Sequence, residues 1–184
     1  EENYLADVWR DDFVDKSLRP NQLFAVGLPY AILDGKYHKQ LVMKVKKHLL
    51  TPYGMRTLAP DSLGYHSHYR GSHEERDASY NQGTVWPWLL GIYTESLLKA
   101  TKYNKTEIKS LLKTVTPLYS KHLTEAGVGS ISEIFEAEEP FKADGTIAQA
   151  WSVSECYRLL MPIKKAVSEI NGDWGSKLRL AAGA

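Results

Sequence analysis

Apolar positions recur at intervals of three and four along several stretches of the chain, the spacing of one helix face. Leu23, Val26, Gly27, Tyr30 and Leu33 predict a short helix over Gln22 to Leu33, which Pro29 should bend or shorten. Lys36 to Leu50 predicts a longer amphipathic helix, with Leu41, Val45, His48 and Leu49 on one face and lysines opposite. Thr51-Pro52-Tyr53-Gly54 ends it. Thr84 suits an N-cap and Pro87 a first turn, so a helix is expected from Thr84 to about Ala100. A turn around Asn104 leads to another over Thr106 to Ala126. The last clear helix is expected from near Ile147 through Trp151, Val153, Cys156 and Leu160; Pro162 should kink or end it, and a further helical stretch reaches roughly Ile170. No segment alternates convincingly with the period of a strand. The fold class read from this pattern is all-α, built of helical hairpins, and short and long connections alternate so as to gather the long loops at one end.

The stretches between helices carry the unusual residues. Residues 51–83 lack helical periodicity but are rich in Gly, Pro, Ser, His and Tyr. A connection this long is usually either functional or disordered, and its aromatic content argues against disorder. A second loop runs from Gly127 to Gly145. The 184 residues suffice for one domain with a real core. Tyr occurs 11 times and Trp 5, against 4 Phe, so the aromatic inventory favours rings with a polar edge, which suit sugar-binding and protein-binding surfaces alike. With 23 basic and 22 acidic side chains, the charge balance gives no reason to expect a nucleic-acid partner. No apolar run approaches a membrane span, and the first residues lack the basic start and apolar core of a signal peptide. A single cysteine, Cys156, permits no disulfide framework and points to a cytoplasmic setting. The chain starts at Glu1 without an initiator Met, which suggests an excised piece. Residues 1–170 are read as the structured unit and 171–184 as a tail.

Three constellations could carry chemistry. The densest is Arg76-Asp77-Ala78-Ser79-Tyr80-Asn81-Gln82-Gly83-Thr84-Val85-Trp86-Pro87-Trp88. Asp77, Arg76 and Gln82 would hydrogen-bond sugar hydroxyls, and Tyr80, Trp86 and Trp88 would stack on ring faces; equally, the tryptophans could be core anchors and Asp77 a turn cap. The second is Gly129-Ser130-Ile131-Ser132-Glu133-Ile134-Phe135-Glu136. Glu133, set among Ile131, Ile134 and Phe135, is a candidate general base whose pKa partial burial would raise; the alternative is a cap or salt bridge. Glu136, Glu138 and Glu139 are expected to be solvated. The third is Gln149-Ala150-Trp151-Ser152, where an amide and an indole at a helix start either face the same cleft or pack inward. Arg19 and Arg56, in Arg19-Pro20-Asn21-Gln22 and Thr51-Pro52-Tyr53-Gly54-Met55-Arg56-Thr57-Leu58, either pair with acids to organise the loops or touch ligand. His66, His68 and His73 lack an accompanying ligand set for a metal, no phosphate-binding glycine motif occurs, and no cofactor is expected. Cys156, mid-helix, reads as core.

Arg19-Pro20-Asn21-Gln22, Leu50 to Leu58, Gln82 to Gly91, Ser132-Glu133-Ile134-Phe135 and Ala148-Gln149-Ala150-Trp151-Ser152, in that order, resemble the amylo-α-1,6-glucosidase domain of glycogen debranching enzymes of the bacterial and archaeal type. The likeness spans roughly residues 4–160. It implies part of an (α/α)6 toroid related to glucoamylase, and inverting hydrolysis of α-1,6-linked glucose on glycogen or a related α-glucan. It places Glu133 on the family's catalytic-base position, the loop with Gln82, Trp86 and Trp88 on its sugar-binding wall, and Gln149 and Trp151 on the cleft side; Arg56, Asp77 and Tyr80, from the reading of the residues, complete the expected substrate-binding set. Two departures stand out. Asn81 occupies a position where the family commonly has His; Asn keeps the hydrogen bonding but cannot be protonated. The family's general acid, an Asp in a Thr-Trp-Met-Asp motif, is absent from this chain. The resemblance therefore implies the C-terminal half of the catalytic domain, inactive alone and prone to self-association through exposed helix faces. The other readings are a non-catalytic α-glucan-binding or helical interaction module, and a related toroid hydrolase with another substrate.

Overall fold

The computed structural model describes residues 4–171. The chain opens with a two-stranded antiparallel hairpin, β1 (Val8–Arg10) and β2 (Phe13–Asp15), in which Trp9 faces Val14. A 3-10 turn over Pro20–Leu23 runs directly into α1 (Phe24–Gly27). The helix expected to reach Leu33 thus stops two residues before Pro29, whose ring disfavours helical geometry in the residue preceding it. Asp34 then caps α2 (Gly35–Leu49) by accepting from the Lys36 N–H, and Leu41, Val42, Val45 and Leu49 are buried along it.

Residues 50–86 hold β3 (Leu50–Thr51), β4 (Gly54–Arg56), α3 (His73–Ser79) and β5 (Val85–Trp86). A reciprocal capping box between Ser72 and Glu75 starts α3. The hairpin pair α4 (Leu89–Thr101) and α5 (Lys105–Ser120) follows, joined by a turn in which Lys102 and Tyr103 are left-handed. Asn104 caps α5 by accepting from the N–H groups of Thr106 and Glu107. β6 (Ile134–Phe135), β7 (Ala143–Asp144), α6 (Ala150–Arg158) and α7 (Leu160–Asn171) complete the described chain. Pro162 falls inside the first turn of α7, where its missing N–H costs nothing, so the helix restarts at Leu160 rather than ending there. The remainder of the proposed tail lies outside the described residues.

The all-α reading needs correction. Strands β3 to β7 form a five-stranded antiparallel sheet in sequential order. Each strand is two or three residues long, too short for a period-two signature to emerge from the sequence. The same sheet displaces the helix expected at Thr84. Val85 and Trp86 pair with Arg56 and Met55, and Val85 also pairs with Phe135. The Thr84 hydroxyl bonds the Tyr80 carbonyl instead of capping a helix, and α4 begins only after Pro87. Gly54 permits the β4–β5 approach, since a Cβ there would stand 2.6 Å from the Trp86 carbonyl carbon.

Helix α4 is the hub of the core; nine of its residues from Leu89 to Leu98 are buried. It packs in parallel with α1 on one side. Ser96 Oγ donates to the Leu23 carbonyl (3.0 Å), and Lys99 Nζ reaches the carbonyls of Gly27 (2.8 Å) and Leu28. On the other side it packs in parallel with α6, because Trp88, Gly91 and Glu95 meet Trp151, Glu155 and Arg158 in the same order. The starts of α4 and α6 and the 3-10 turn that leads into α1 therefore lie at one end, and there they border the cleft described below.

Candidate functional site

Glu133 stands immediately before β6, and its backbone is fixed from both sides. Its N–H donates to the Thr146 carbonyl (2.9 Å), while the Gln149 N–H donates to the Ile131 carbonyl (3.0 Å). The preceding N–H, of Ser132, donates to Nε2 of His122 at 3.1 Å. His122 is fully buried against Tyr53 and Phe135, and burial lowers its pKa. A ring nitrogen that accepts an N–H carries no proton, so a neutral imidazole serves as the anchor. The pattern of the sequence assigned His122 to the interior of a helix; no motif marks it.

The Glu133 carboxylate sits in a ring of donors. The Tyr80 hydroxyl donates to Oε1 in a short bond. The Thr146 N–H and hydroxyl both donate to Oε2, at 2.9 and 3.2 Å. The Gln149 side chain also favours the charged form. Gly145 makes the seat possible: its φ of +68° is left-handed, and a Cβ there would stand 2.6 Å from Oε2. These contacts overturn the expectation of a raised pKa. Burial does disfavour the charged form, but the bonds from Tyr80, Thr146 and Gln149 outweigh it and hold the carboxyl below the ordinary glutamate range. Burial and the adjacent carboxylate push the Tyr80 phenol far up, so it remains a donor.

Tyr80 joins this seat to an aromatic wall. Its ring meets Trp86 edge-on at 4.9 Å and Tyr69 at 5.8 Å. Trp86 meets Trp151 edge-on at 5.7 Å, and Trp151 stacks on Trp88 at 4.9 Å with 17° between planes. A cleft of about 200 Å³ lies beside them, lined by the start of the 3-10 turn that leads into α1 (Arg19, Pro20, Asn21), by Thr57 and Asn81, and by the three indoles. The tryptophans are not equivalent. Trp86 is only 5% exposed, and its Nε1 is directed at Thr84 Oγ1 and the Tyr80 carbonyl. Trp88 has one face on Trp151 and contacts Phe24. Trp151 is 44% exposed and offers the open indole surface.

The arginines organise the loops. Arg19 donates to the carbonyls of Thr57 and Asn81 and to the Gln82 amide oxygen (2.8 Å), and pairs with Asp7 at 3.4 Å. Gln82 is thereby oriented from behind. Arg56 donates to the carbonyls of His48 and Ala137 and reaches Glu138 at 3.4 Å, so its described contacts are structural. Asp77 is exposed on α3. Glu136, expected to be solvated, has a side chain with no exposed surface. Arg70 grips it with two bonds (2.6 and 2.9 Å), and His68 Nδ1 lies 3.3 Å away. A buried carboxylate is tolerated only when paired in this way. The pairs tie segment 65–72 to β6, an arrangement reinforced by the Ala137 N–H on the Ser67 carbonyl and by Tyr65 on Glu138.

A carboxylate held by neutral donors thus stands at the same end of the helices as the three indoles and the cleft. The family comparison gives the class, a glycosidase domain. The family model for amylo-alpha-1,6-glucosidase matches residues 1–158, and the chain belongs to that family. No helix among the described residues is long and apolar enough to cross a membrane.

Proposed function

We propose that this chain supplies the general base and one wall of the sugar cleft for inverting hydrolysis of α-1,6-linked glucose at the branch points of glycogen or a related α-glucan. The observation that carries this reading is the Glu133 seat, an ionised carboxylate joined through Tyr80 and Trp86 to an exposed indole, Trp151. An inverting glycosidase needs a carboxylate that draws a proton from water on one face of the sugar ring. A carboxylic acid protonates the leaving oxygen on the other face, and the two groups stand roughly 6.5–9.5 Å apart to admit that water. Glu133 takes the first role. The second belongs to an Asp outside this sequence, as the family's Thr-Trp-Met-Asp motif implies, so the chain alone is inactive. The parallel helices α1, α4 and α6 form part of the inner layer of an (α/α)6 toroid. Trp151 stacks on a glucose ring, Trp86 and Trp88 back it, and Tyr80, Gln82 and Gln149 meet hydroxyls or the base, while Asp77 and Arg56 stand further out. The setting is cytoplasmic, and the 184-residue chain self-associates unless the remaining helices cover its apolar faces, where Val153, Tyr157 and Met161 are exposed.

The test is hydrolysis of a dextrin bearing single α-1,6-linked glucose stubs by the protein that carries both carboxyls, with the anomer of the released glucose followed by NMR. The first-formed product should be β-glucose, and Glu133→Gln should abolish its release while glucan binding persists. Retained turnover in Glu133→Gln would remove the base from this position. Turnover by the 184-residue chain alone would refute its dependence on an external acid.

A further inference from the structure

Thr146 stands apart from the other groups around Glu133. It contributes three contacts to one residue: its carbonyl accepts the Glu133 N–H, and its own N–H and hydroxyl both reach Oε2. The turn that presents it is built for the task. Asp144 ends β7 and accepts the Gly145 N–H (3.0 Å), and left-handed Gly145 then brings the backbone against the carboxylate with no Cβ in the way. We propose that Thr146 is a positioning residue: by clamping Oε2 through both donors, it fixes the rotamer and keeps the charge of Glu133. An ionised carboxylate has about two acceptor sites on each oxygen, so Thr146 fills those of Oε2, and Oε1, which accepts from Tyr80, keeps one site to take a proton. The groups facing the carboxyl are Tyr80 from the turn after α3, with Tyr69 behind it, and Thr146 and Gln149 from the segment after β7. Among the described residues, none of the ion pairs includes Glu133, so these neutral donors set its titration.

This inference rests on Glu133 as the base, and its test has a readout independent of turnover. In the 184-residue chain, the side-chain carboxyl of Glu133 is titrated by carbon-13 NMR in the parent and in Thr146→Val, Thr146→Ala and Thr146→Ser. The Val and Ala variants should move the midpoint up toward the ordinary glutamate range, and Ser, which keeps the hydroxyl, should restore it. In the active enzyme, Thr146→Val should lower kcat on the order of tenfold to a hundredfold with KM little changed, and its acid limb should shift upward. An unchanged midpoint in a folded Val or Ala variant, or a Ser variant as impaired as Val, would overturn the proposal. Activity surviving Glu133→Gln would instead remove the base assignment, while the titration would still decide whether Thr146 controls this carboxyl.

Discussion

Replacing Gly145 with Ala perturbs the carboxylate seat through one atom, and the cost can be worked from the geometry. The first contribution is conformational. At φ +68° an L-residue other than Gly crowds its Cβ against the following carbonyl, at about 1–2 kcal/mol. The second is steric. The new Cβ would stand 2.6 Å from Glu133 Oε2, against 3.4 Å or more for ordinary contact, so the carboxylate must retreat by about 0.8 Å. That displacement breaks the two Thr146 bonds, and a misplacement of ~1 Å in a catalytic group costs on the order of a hundredfold in rate. Gly145→Ala should therefore lower stability in urea unfolding by about 1–2 kcal/mol and kcat on branched dextrin by on the order of a hundredfold. Gly145→Asn separates the two contributions. Asn tolerates the left-handed region better but still carries a Cβ, so it should recover stability without recovering kcat. Full activity in Gly145→Asn, or Gly145→Ala with parental stability and rate, would refute the argument that this glycine exists to seat Glu133.

Further outcomes follow from the same contacts. Because the Glu133 carboxyl is held low, its seat contributes stability that is fully present above the unfolded value near 4.5 and is lost as pH falls through the folded value. Tyr80→Phe removes a donor to the charged form, so urea midpoints should fall at neutral pH and depend less on pH on the acid side; an unchanged profile would exclude Tyr80 as a determinant. Leu97, fully buried at the α4 hub, should cost about 2–5 kcal/mol on truncation to Ala, read by denaturant unfolding. Trp151→Ala should weaken binding of maltooligosaccharide in calorimetry while leaving the melting transition nearly in place, since this indole is 44% exposed. Trp86→Ala, at 5% exposure, should instead lower the melting temperature.

The longer helices were legible because each carries its own local instruction, whereas α3 falls inside the stretch 51–83 that reads as a loop. The Leu41–Val45–Leu49 stripe defines α2, and Asn104 followed by Ile108, Leu111, Val115 and Leu118 defines α5. The sheet was not, because strands of two or three residues are stabilised by partners remote in sequence: Val85 needs Phe135, and Met55 needs Trp86. The same distinction runs through the site. Glu133, Tyr80, Gln149 and the indoles stand in recognisable strings, whereas the groups that hold Oε2 and the backbone beside it come from positions that look ordinary. Thr146 follows an unremarkable Asp-Gly turn, and His122 lies in apparent helix. Glu136 looked solvated because it begins an acidic run with Glu138 and Glu139. Only the folded chain brings Arg70 and His68, from a loop more than sixty residues earlier, against it.

The parallel packing of α1, α4 and α6 gives the domain two ends with different tolerances. Every group discussed at the carboxylate and the cleft is held near the helix starts, while the turn through Lys102 and Tyr103 closes the far end of α4. Thirteen helical residues span about 20 Å, and Tyr103 is half exposed there. That turn is accordingly a place to attach things. A fluorophore, a surface tether or an inserted binding module at 102–103 would be separated from the cleft by the length of a helix. The domain could then be immobilised or labelled in a defined orientation with its cleft facing outward.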